Sequence, residues 1–109
     1  MSEEYEIKWE KTVIGGRTEP GDWVAIVQGV EVGRLYWFDA GKRKGYNWSF
    51  YLGHSDFRGD FLSGFEEELQ PAADKIKAAF WRFVAYPGEK GGGAGKAPGQ
   101  WQHGYGTRA

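Results

Sequence analysis

Cysteine is absent from the chain, so no disulfide, no thiol nucleophile and no thiolate metal centre is available to it. That usage fits a reducing cytoplasm. Histidine occurs only at His54 and His103, the second of them in a glycine-rich stretch, which leaves an imidazole-based metal site without ligands held on a rigid frame. No metal or other cofactor is expected. No apolar run approaches the roughly 18 residues that a membrane span requires, and Ser2-Glu3-Glu4 is acidic where a signal peptide would be basic. The expectation is a soluble, cytoplasmic protein with no membrane partner. An excess of either charge is also missing: 14 basic and 15 acidic side chains give a formal net charge of −1, which removes the global attraction of a dedicated duplex-DNA binder.

What the chain does have is rings. Its 109 residues suffice for one hydrophobic core but not two, and they include seven Phe, six Tyr and six Trp. Tyr36, Trp37 and Phe38 are consecutive, and Tyr46, Trp48, Phe50 and Tyr51 follow closely. In strands, successive side chains point to opposite faces, so these rings occupy both sides of a sheet.

Hydrophobic alternation predicts strands over about 5–13, 23–27, 31–39 and 46–52, with Gly15-Gly16 read as loop, Gln28-Gly29-Val30 as a tight turn and 40–45 as a polar connection. Glu19-Pro20-Gly21-Asp22 and residues 53–64 read as loops, Phe57 and Phe61 tucking back onto the body. Ser63 and Glu66 have the spacing of a capping box. A helix is predicted over about 71–86, with Ala72, Ala73, Ile76, Ala79, Phe80, Phe83 and Val84 on one stripe and Trp81 near its edge. One helix covers one face of the sheet. If Leu35 and Trp37 join Trp48 and Phe50 beneath it, then Arg34, Tyr36, Phe38 and Tyr51 lie on the other face. From Pro87 onward glycine dominates, and such a segment is expected to be a flexible tail.

The candidate catalytic motifs do not survive a physical test. Lys90 to Lys96 has the look of a phosphate loop, but Lys90 stands where the first glycine belongs, Ala97 replaces the Ser or Thr, and Pro98 blocks the following helix. His54-Ser55-Asp56 holds the residue types of a nucleophilic triad at adjacent positions, from which they rarely converge. Glu66, Glu67 and Glu68 are accounted for by the positive end of a helix dipole. No enzyme activity is expected. Charge is nonetheless uneven, with Glu3, Glu4, Glu6 and Glu10 near the start and Lys42, Arg43, Lys44 and Arg58 within 41–58. Beside exposed rings, those cations would make a phosphate clamp.

Val32-Gly33-Arg34-Leu35-Tyr36, Tyr46-Asn47-Trp48-Ser49-Phe50 and Ala78-Ala79-Phe80-Trp81-Arg82-Phe83 together resemble a group of short bacterial and phage-associated proteins of uncharacterised function. Their pattern is a Gly-Arg-Ile-Tyr strand, a Trp-containing strand and an alanine-rich helix. The resemblance covers about residues 23–86; a longer loop at 53–64 and Pro71 depart from it. It implies the strand–strand–strand–helix order and an intracellular or phage-related setting.

The sequence therefore predicts an α+β domain over 1–86, a four-stranded antiparallel meander with one C-terminal helix on one face, and a disordered tail over 87–109. A non-enzymatic protein is expected to dock a protein partner or a second copy of itself through Arg34, Tyr36, Phe38, Tyr51 and Trp81. Single-stranded DNA or RNA on the same face, gripped by Lys42, Arg43, Lys44 and Arg58, stays open as the alternative.

Overall fold

Two tight turns set the N-terminal half. Gly15 and Gly16 (φ 60° and 81°) join β1 (Lys8–Ile14) to β2 (Arg17–Val27), and Gln28 and Gly29 (φ 49° and 83°) join β2 to β3 (Val30–Asp39). Two successive residues at positive φ give a turn whose twist matches that of the flanking strands, so each hairpin closes with two residues. A four-residue connection, held by the Gly41 N–H donating to Asp39 Oδ1 at 2.9 Å, leads to β4 (Lys44–Phe50). The computed structural model describes residues 5–58 and 62–102. In it a one-turn helix α1 (Ser55–Arg58) and a further strand β5 (Ser63–Glu66) precede α2 (Leu69–Ala85). Among the described residues the sheet runs β1-β2-β3-β4-β5, antiparallel throughout, in sequence order.

The α+β meander and its single main helix agree with expectation, but the sheet exceeds four strands. Ser63 and Glu66 do not cap a helix. They are the ends of β5, paired so that Asn47 faces Phe65 and Tyr46 faces Glu66. Four residues between Leu62 and Glu67 are too short a period to separate from a loop. Glu19 to Asp22 also depart from expectation, since they lie within β2. Their turn character survives as an irregularity: the partner of β1 jumps from Trp23 opposite Lys11 to Thr18 opposite Val13. A proline without an N–H and Gly21 at φ 75° interrupt the ladder there without ending the strand.

The core lies between the sheet and α2. From α2 come Ala72, Ile76, Ala79, Phe80 and Phe83, the predicted stripe, and from the sheet Ala25, Val27, Leu35, Trp48 and Phe50. Leu52 and Phe57 close one end, with Phe57 edge-on to Phe83 at 5.5 Å and Phe50 to Phe83 at 5.9 Å. Such edge contacts add to the burial of large rings. Pro71 falls in the first turn of α2, where its missing N–H costs no intrahelical bond. Trp37 is a correction: it shares the Leu35 face but stays 44% exposed, meeting the Tyr46 ring at 5.2 Å rather than the helix.

The segment after Pro87 is the larger correction. It folds back over the end of α2 in two 3-10 turns, Gly88–Lys90 and Pro98–Gln100, and brings Trp101 into the core at 7% exposure. Trp101 packs on Phe80 at 5.7 Å, Phe83 at 5.6 Å and Tyr5 at 5.6 Å. Glycine here serves close backbone approach. The Gly93 N–H donates to the Phe83 carbonyl at 2.8 Å, the Gly53 N–H to the Gln102 carbonyl at 2.9 Å, and the His54 N–H to the Gly91 carbonyl at 3.1 Å. At Gly91, with φ 101°, a Cβ would overlap the His54 carbonyl oxygen. Backbone hydrogen bonds and one indole thus hold a stretch that composition alone reads as flexible, and the domain extends beyond residue 86 to Gln102. Residues 103–109, with His103, Tyr105 and Arg108, lie outside the described residues, as does Phe61.

Replacing Trp101 by Ala is expected to cost about 3 kcal/mol. By calorimetry that appears as a fall in Tm on the order of 10 °C. An unchanged midpoint would show that the segment does not pack on α2.

Candidate functional site

β3 has neighbours on both sides, and its pleat sends Leu35 toward α2 and Arg34, Tyr36 and Phe38 the other way. The cross-strand partners extend that outer face. Tyr36 sits between Asp22 on β2 and Asn47 on β4, Arg34 between Val24 and Ser49, and Phe65 of β5 lies beyond Asn47. Phe38 faces Gly45, which carries no side chain, so its ring reaches Phe65 edge-on at 6.3 Å. The Arg43 guanidinium stacks on the far side of this pair, 4.1 Å from the Phe65 centroid. Tyr36 and Phe38 remain 38% and 37% exposed. Rings of that size left half in water on one side of a sheet form an apolar surface with a charged border.

A carboxylate anchors the centre of the face. Asp22 is the one buried charged residue among those described, at 7% exposure, and it is fully engaged. Its Oδ1 accepts from Thr12 Oγ1 at 2.7 Å and from Arg34 Nε at 2.9 Å, and its Oδ2 from Arg34 Nη2 at 2.6 Å. The fork of the guanidinium is matched by both carboxylate oxygens, the strongest form of such a pair. The hydrogen bonds from Arg34 hold the Asp22 carboxyl below its ordinary value, against the opposing effect of burial. The β1–β2 register that pairs Lys11 with Trp23 leaves Thr12 and Asp22 next in line, within hydrogen-bond reach of each other. Arg34 in turn lies over the Tyr36 ring, 5.1 Å from its centroid. Tyr51 stands at the other end of this row, where burial first and the nearby Glu31 carboxylate second push its phenol well above the usual tyrosine range.

Of the residues expected to bind a partner, Arg34, Tyr36, Phe38 and Tyr51 are thus on or beside one face. Trp81 is not. It lies on the outer side of α2, 40% exposed and 6.2 Å from the Tyr5 ring, across the sheet from the others. Lys42 and Arg43 on the β3–β4 connection and Lys44 at the start of β4 are exposed, and Glu66, Glu67 and Glu68 line the same open cleft of about 850 Å³, Glu66 lying 3.7 Å from Lys75 as well. Cations that share a cleft with carboxylates make a weaker phosphate clamp than cations alone. The side chain of Arg58 lies outside the described residues.

Sequence reasoning missed Phe65, Asp22 and Thr12. The alternation Ser63-Gly64-Phe65-Glu66 carries a faint strand signal for the first; the pairing of the other two is a contact between strands that the local pattern of neither residue specifies. His54 Nδ1 and Ser55 Oγ share a local hydrogen bond of 2.9 Å at the start of α1. Among the described residues no group of three or more His, Asp or Glu side chains converges for a metal ion, and no helix is long and apolar enough to cross a membrane. No family model, no curated protein and no solved structure matches this chain.

Because the folded carboxyl of Asp22 titrates below its unfolded value of 3.8, its contribution to stability is present above that value and is lost as pH falls through the folded one. Asp22→Asn should therefore lower Tm at neutral pH and flatten the decline of Tm below about pH 4. An identical acid limb in Tm against pH for both proteins would show that the Arg34 pair is not formed in solution.

Proposed function

We propose that this chain is a non-enzymatic binding protein that docks a protein partner through the sheet face bearing Arg34, Tyr36, Phe38 and Phe65. The observation that carries the reading is the cluster of exposed Tyr36 and Phe38 rings with the partly buried Phe65, beside a guanidinium whose charge Asp22 already balances. Protein interfaces are built from this material: Tyr, Phe and Arg supply large contact areas, and energetic anchors concentrate in rigid, well-packed positions. Arg34 fits that role because the fork to Asp22 and the Tyr36 ring fix its side chain before any partner arrives. Less side-chain entropy remains to be lost on docking. A second copy of the chain is one such partner.

Single-stranded nucleic acid is the second reading, favoured by Arg43 stacked on Phe65 with Lys42 and Lys44 alongside. Aromatic rings next to cations can stack bases and hold phosphates. Against it stand the three carboxylates in the same cleft and the compensation of Arg34.

Tyr36→Ser combined with Phe38→Ser is expected to remove partner capture or self-association while lowering Tm by only a few degrees, since exposed side chains lose little burial. Analytical ultracentrifugation of the purified chain reads the self-association arm, and affinity capture with sequencing of the retained protein by mass spectrometry reads the other. A labelled oligonucleotide bound at about 50 mM salt, and released as salt rises, would transfer the face to nucleic acid instead.

A further inference from the structure

On the other side of the sheet the chain before β1 crosses α2, and the two enclose a cleft of about 320 Å³ that no part of the proposed docking face touches. Its apolar lining is Tyr5, Ile7, Trp9, Ala73 and Trp81, three of them aromatic. The rings of Tyr5 and Trp81 stand 6.2 Å apart and are tilted by 52°, so they form a corner rather than a stack. Trp81 is a large ring left 40% exposed on a helix whose neighbours Phe80 and Phe83 are buried. Tyr5, by contrast, is wedged against Phe80 and Trp101, which fixes the corner from behind.

The polar groups around these rings carry a charge preference. Glu6 and Asp74 line the cleft with one cation, Lys77. Asp74 is positioned by Gln70 Nε2, which donates to its Oδ1 at 2.9 Å. Ring faces are negative, and they attract a cation most when flanked by carboxylates and partly shielded from water. A compact ammonium is strongly hydrated, whereas an alkylated one sheds water easily and presents methyl groups to the rings. The volume is at the low end for small-ligand sites.

We infer that this cleft binds an alkylated ammonium group, the rings of Trp81, Tyr5 and Trp9 meeting its methyl groups and Glu6 and Asp74 balancing its charge. The group can belong to a free small molecule or to a methylated lysine side chain of a protein. Lys77 weakens the site by like-charge repulsion.

Titration of the full chain with choline chloride, followed by tryptophan fluorescence at constant ionic strength, tests this. Saturable binding is expected, with the neutral isostere 3,3-dimethylbutan-1-ol weaker by about tenfold or more. Trp81→Ala and, separately, Asp74→Asn should each weaken choline binding with an unchanged circular dichroism spectrum, and Lys77→Met should tighten it. A trimethyllysine peptide in place of choline separates the two sources: affinity at least about tenfold above choline assigns the group to a protein, and equal or lower affinity assigns it to a free small molecule. Equal binding of choline and its isostere, no saturation by about 50 mM choline, or weaker binding in Lys77→Met would overturn the inference.

Discussion

β3 is hydrogen-bonded on both sides, so the pleat of this one strand decides which residues meet α2 and which meet solvent. With Leu35 under the helix, Arg34, Tyr36 and Phe38 have no freedom to be elsewhere. The outer face inherits its order from the same register. Asp22 and Asn47 flank Tyr36, Gly45 makes room beside Phe38, and Phe65 fills that room from β5. A shift of one residue would bury Arg34 and expose Leu35, which burial forbids.

The charges on this face are arranged so that they orient rather than attract. Asp22 neutralises Arg34, and Glu66 to Glu68 share a cleft with Lys42 to Lys44. Little long-range field is left to steer a polyanion, while the fixed guanidinium and the rings remain for short-range recognition. Asp22 stands where the regular β1–β2 register ends, next to the irregularity around Pro20 and Gly21, and takes hydrogen bonds from both Thr12 and Arg34.

Much of the framework was legible beforehand. The stripe of α2, the two glycine turns and the opposite facing of Leu35 and Tyr36 follow from periodicity, which reports directly on one-sided burial. Three elements were not legible. β5 is only four residues long and its pattern depends on a partner already in place. Trp37 has the hydrophobicity of a core residue but sits beyond the reach of the helix. The segment 88–102 has the composition of a linker, yet glycines that weaken a chain in isolation allow its backbone to lie close against residues 53–54 and the end of α2.

By itself the sequence determined the local periods, and with them four of the five described strands in outline, the main helix and the two sets of side chains that alternate across β3. The absence of cysteine and the near balance of charge likewise narrowed the chemistry open to the chain. Only the tertiary structure decided which rings on those faces are covered, because coverage depends on how far α2 extends over the sheet and on where the returning segment rests. It also decided the pairing of Asp22 with Arg34, the separation of Trp81 from the outer face, and the burial of Trp101. Each of these is a contact between residues distant in sequence, and a periodic pattern carries no information about which distant partner a residue will meet.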